Sequence, residues 1–115
     1  GGGQGLGGLK AAFGSYVPLV ALARKRITEQ HEKDDLGTLA VFYKTAGELC
    51  CLAQDYAQGE ELLCEALRLL RKVTDFDCSS LIEGCEQMVA IAYSNQAKEP
   101  PRVVDVTEGA APNLD

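Results

Sequence analysis

Apolar residues in the middle of this chain recur three and four positions apart, the period of helices that bury one face. Tyr16, Leu19, Val20, Ala23 and Ile27 form a first stripe. It predicts a helix from Ser15 to about Glu32, with Ser15 as N-cap and Pro18 in the first turn, where a missing N–H costs little. A second, wider stripe holds Leu39, Phe42, Tyr43, Ala46, Leu49, Cys50 and Ala53. It predicts a helix opened by Asp34 or Asp35 and running to about Ala53. Gln54 and Asp55 make a tight turn in which Asp55 can cap the next helix. That third helix runs from Tyr56 to about Val73 on Gly59, Leu62, Leu63, Ala66, Leu67 and Leu70. Its acids come early and its bases late, as the helix dipole favours, and Glu65 can pair with Arg68. After a short connection, Asp75 to Cys78, Ser79 or Ser80 caps a fourth helix, and Ser80-Leu81-Ile82-Glu83 reads as a capping box. Its apolar face is Leu81, Ile82, Cys85, Val89, Ala92 and Tyr93; it fades near Lys98, and Pro100-Pro101 stop it.

The flanks lack this period. Residues 1–8 hold six glycines and read as a flexible arm. Residues 9–97 form the helical domain. Residues 98–115 read as a disordered or extended tail, anchored only by Val103, Val104 and Val106. Two glycines lie inside the second helix, and each costs about 1 kcal/mol relative to Ala. Close approach by a neighbouring helix accounts for Gly47. Gly37 finds no comparable reason in the sequence.

The stretch Ala46-Gly47-x-x-Cys50-x-x-x-Gln54-Asp55-Tyr56-x-x-Gly59-x-x-x-Leu63-x-x-Ala66-Leu67 puts small residues where two antiparallel helices would touch. Shifted by 43 residues, the chain partly matches itself: Phe13 falls on Tyr56, Leu19 on Leu62, Val20 on Leu63, Ala23 on Ala66 and Ile27 on Leu70. Ala46-Gly47 falls on Val89-Ala90, and Cys50 on Tyr93. The first helix therefore corresponds to the third, and the second to the fourth. This pattern resembles the tetratricopeptide repeat, in its longer form, over roughly Phe13 to Tyr93. Departures are Ala46 before Gly47, Cys50 for a Tyr, Gln54 for a turn Gly and Gly59 for an Ala. The resemblance implies an all-α fold of antiparallel helix hairpins, stacked as a short solenoid or closed as a four-helix bundle. The array is short. An open face would then be covered by the tail, a partner or a second copy.

Charge and chemistry narrow the function. The net charge is −6, and between Asp34 and Tyr93 eleven acids face four bases, Lys44, Arg68, Arg71 and Lys72. That argues against nucleic acid, which needs clustered bases. No stretch approaches the ~20 apolar residues of a membrane span. The five cysteines show no CxxC spacing and read as small buried hydrophobes of an intracellular protein, cytoplasmic or nuclear. His31 is the sole histidine, with no nucleophile or acid patterned beside it, so neither catalysis nor a metal or other cofactor is expected.

In tetratricopeptide families the ligand lies along the first helices of the pairs. The resemblance implies a groove presenting Val41, Lys44, Thr45, Glu48 and Cys51 from the second helix and Gln87, Met88, Ile91, Ser94 and Asn95 from the fourth. Glu48 stands where chaperone-binding members hold a terminal carboxylate with Asn, and it would repel one. The expected function is non-enzymatic: an adaptor or scaffold that binds a protein or peptide, basic or amphipathic for preference. The alternative is a bundle that assembles with copies of itself.

Overall fold

A computed structural model describes residues 15–96, so the glycine arm and the tail lie outside the described residues. It is all-α: α1 (Val17–Gln30), α2 (Leu36–Leu52), α3 (Tyr56–Leu70) and α4 (Ser79–Gln96), with no strand among the described residues. Each helix packs on its neighbour in the chain, most extensively α2 on α3. There is no substantial packing between α1 and α4, so the described helices form an open stack and not a closed ring of four.

The caps follow the sequence in two helices and depart from it in two. Asp35 opens α2, its carboxylate accepting from the Thr38 N–H at 3.0 Å and the Thr38 hydroxyl at 2.8 Å. Those bonds hold its carboxyl below the usual carboxylate range. Asp55 opens α3, accepting from the Gln58 N–H and, at 2.7 Å, from the Gln58 side chain. Ser15, by contrast, does not cap α1. The cap position is Tyr16, and Ser15 accepts from the Val17 N–H at 3.3 Å. Nor does Ser80 open α4, because Ser79 is already helical. Asp77 takes that part, accepting from the Ser79 N–H at 3.0 Å and its hydroxyl at 2.6 Å. A charged oxygen two residues ahead of Ser79 holds the entry to the helix in place of a serine inside its first turn.

The core is one cluster built on α2 and α3, with Leu63, Leu70, Cys50 and Cys85 its largest fully buried side chains. Its tightest point is the crossing of two glycines. A methyl group on Gly47 would lie 2.6 Å from Leu63 Cγ and 3.1 Å from the Gly59 carbonyl oxygen. One on Gly59 would lie 2.7 Å from Cys51 Sγ and 3.1 Å from the Gly47 carbonyl oxygen. Each glycine thus removes the side chain that would hold the other backbone away. The turn between them is tight enough to force Gln54 to a φ of 67°, the left-handed region that favours glycine.

Gly37 now has a reason as well. The ring of Phe76, in the connection between α3 and α4, reaches over the first turn of α2. A methyl group on Gly37 would lie 3.1 Å from Phe76 Cζ.

Gly47→Leu and Ala66→Leu should each destabilise the protein by about 1–3 kcal/mol through overpacking of this seam. Lys72→Ala, at an exposed position, should change stability by less than about 0.5 kcal/mol. Urea unfolding midpoints measure all three. Equal midpoints would contradict the seam.

Candidate functional site

Because successive helices run antiparallel, alternate helices run parallel and lie on the two faces of the stack, with little direct packing between them. On one face lie α1 and α3. Arg24 donates to the Gln58 side chain across them. His31, the C-cap of α1, shares a 2.9 Å hydrogen bond with the Tyr43 hydroxyl of α2, the rings edge to face at 5.8 Å. Glu65 on α3 pairs with Arg68, and its carboxyl is held low chiefly by the Arg68 hydrogen bond.

On the opposite face α2 and α4 approach at Lys44, whose Cε would lie 3.9 Å from a methyl group on Gly84. Here the groove-lining residues expected from the sequence can be placed one by one. Val41 is 39% exposed and Thr45 half-buried. Lys44 and Glu48, one turn apart, form a half-buried ion pair of 2.7 Å. On α4, the helical period carries Gln87, Met88, Ile91 and Asn95 up from Gly84 along the same side. Met88 is half-buried and packs against the core, Gln87 is exposed and Ile91 is 48% exposed. Ser94 and Asn95 both turn back on their own helix: the Ser94 hydroxyl donates to the Ile91 carbonyl at 3.2 Å, and the Asn95 amide at 2.8 Å.

Cys51 departs from the groove. It is only 7% exposed, and its sulfur fills the space that Gly59 leaves vacant in the α2–α3 seam. Burial, with Glu48 and Asp55 adding to it, pushes its thiol up to about 11. Cys51 is therefore not presented to solvent beside Val41, Lys44, Thr45 and Glu48 as expected.

The sequence also leaves Phe76 unassigned, although an aromatic between two acids, Asp75 and Asp77, is the signal that marks it. It is 54% exposed. With Asp35, Gly37, Thr38, Val41 and Asp75 it lines an open cleft of about 410 Å³. Val41, one of the residues expected to line a groove, lines this cleft.

All five cysteines are thiols, four of them buried and Cys64 exposed. Partial burial and then Glu60 raise the Cys64 thiol, and burial raises that of Cys85. The described residues contain no cluster of His, Cys, Asp and Glu that could hold a metal ion. Among them, no helix is long and apolar enough to cross a membrane.

The described residues define an all-α stack of antiparallel helices with an open cleft beside the first turn of α2. The chain matches no protein-family model, no curated protein and no solved structure.

In the native protein Cys64 should be the first and slow target of a thiol reagent at neutral pH, since raised thiols react poorly. The other four should react only on unfolding. Mass spectrometry after timed N-ethylmaleimide labelling reads the order, and early labelling of Cys51 would contradict the seam.

Proposed function

We propose that this chain is a non-enzymatic protein-interaction module of the tetratricopeptide type, holding a peptide or partner helix along the α2–α4 face. The observation that carries this reading is the pairing of α2 and α4 at Lys44 and Gly84, with Val41 and Ile91 exposed along it. A rigid groove with apolar positions spaced by helical turns suits an extended or helical ligand bound through a few side chains.

Charge selects the ligand. Glu48 neutralises Lys44, the one base on this face of α2. A terminal carboxylate therefore finds no free cation there. The excess of acids from Asp34 to Tyr93 favours basic or amphipathic partners and disfavours nucleic acid. Thiols throughout, four of them buried, suit a cytoplasmic or nuclear protein.

A second reading rests on α4. Only Cys85 and Ala92 are fully buried on it, while Ile91 and Tyr93 are open, Tyr93 at 70%. Tyr93 and Ala90 fall on Cys50 and Gly47 in the repeat, the positions by which α2 meets α3. That face fits a further helix, and self-assembly would supply one.

Fluorescence anisotropy with basic amphipathic 12-residue peptides tests the first reading. Val41→Asp and Ile91→Asp should each weaken binding by about tenfold or more, while Lys72→Ala should leave it unchanged. Binding indifferent to both aspartates would reject the groove. A monomer by light scattering at micromolar concentration would reject self-assembly.

A further inference from the structure

The cleft at the head of α2 has features that stability does not account for. A single exposed aromatic is ordinary on a protein surface. Phe76, however, is seated on Gly37, a helix-weakening residue inside α2, and still leaves more than half of its own surface open. The connection around it is fixed. Cys78 is buried, and Asp77 is held by both the N–H and the hydroxyl of Ser79. The ring is thus presented outward by an anchored backbone, so little freedom is lost when something binds to it.

The lining is asymmetric in charge. Asp35 and Asp75 are acids, Val41 and Phe76 are apolar, and no base is among them. The positive end of α2 would ordinarily repel a cation here. Asp35 offsets it, accepting the first-turn N–H of Thr38 while keeping its charge. The volume, about 410 Å³, admits one long side chain entering from solvent and leaves room for water around it.

We propose that this cleft seats one arginine side chain of the peptide held in the α2–α4 groove. The proposal rests on the peptide-binding reading of that groove, and it names the residue class that the end of the groove selects. The guanidinium lies on the Phe76 ring between the Asp35 and Asp75 carboxylates, and the aliphatic stem lies on Val41. Arginine suits this better than lysine, because a planar, weakly hydrated cation can stack on the ring and bond a carboxylate at its edge. Since Val41 lines the cleft and belongs to the proposed groove, an arginine here sets the register of the rest of the peptide.

The test uses N-acetyl-arginine methylamide as probe, followed by amide and aromatic NMR signals of the whole chain. Saturable shifts are expected at Gly37, Thr38, Val41 and the Phe76 ring, weakening with added salt. The uncharged N-acetyl-citrulline methylamide should produce none. Asp75→Asn should weaken the probe by about fivefold, the loss of one exposed charge contact, and Phe76→Ala should abolish saturation. Gly37→Ala keeps the fold and crowds the ring, so it should weaken the probe with no loss of thermal stability. Equal shifts from citrulline, or shifts that survive Phe76→Ala, would overturn the proposal. An amphipathic lysine-only peptide separates the two readings. If it shifts Thr45, Met88 and Ile91 while the arginine probe leaves Phe76 still, the cleft assignment fails and the groove stands. If the arginine probe saturates at Phe76 while no peptide moves the groove, the cleft assignment holds and the groove reading fails.

Discussion

Gly47 on α2 and Gly59 on α3 set the distance between the two central helices, and the remaining packing is arranged around that distance. With no Cβ on either side, each backbone approaches the other's carbonyl, and Leu63 and Cys51 close the space that is left. Dispersion falls steeply with separation, so an α2–α3 pair held even slightly apart would lose contact along its whole length. The close crossing fixes the angle at which α2 presents its far side, and α4, packed on α3, is fixed with it.

An open stack also explains where polar groups gather. Arg24 with Gln58 links α1 to α3, His31 with Tyr43 links α1 to α2, and Arg71 with Glu86 links the end of α3 to α4. The α2–α4 face has few such ties, and its one ion pair lies within α2. Val41 and Ile91 on the α2–α4 side are left to solvent.

Much of the architecture is legible in the residues, because a buried helix face writes itself as a period. The four stripes, the caps at Asp35 and Asp55, the Glu65–Arg68 pair and the close approach at Gly47 all follow from spacing and side-chain chemistry. Two caps do not, since Ser15 and Ser80 have the right chemistry but neighbours decide which residue turns first. Cys51 is a subtler case. A helix packed on both sides has a wide apolar face, and spacing alone does not say whether its margin looks into the seam or the groove. Phe76 and Gly37 illustrate the limit of periodic reading. Their contact joins a connection to a helix start far away in sequence, and no period runs through a loop. The cleft they build is visible only once the fold brings residues 35–41 beside 75–76.

Native-state amide hydrogen exchange tests the seam most directly, because it ranks helices by the free energy needed to open them. If the Gly47–Gly59 crossing is the structural centre, the amides of Cys50, Cys51, Leu63 and Ala66 exchange only through global unfolding. Those of α1 and the outer turns of α4 then exchange sooner, through partial openings. Equal or faster exchange at the α2–α3 crossing than in α1 would contradict the account.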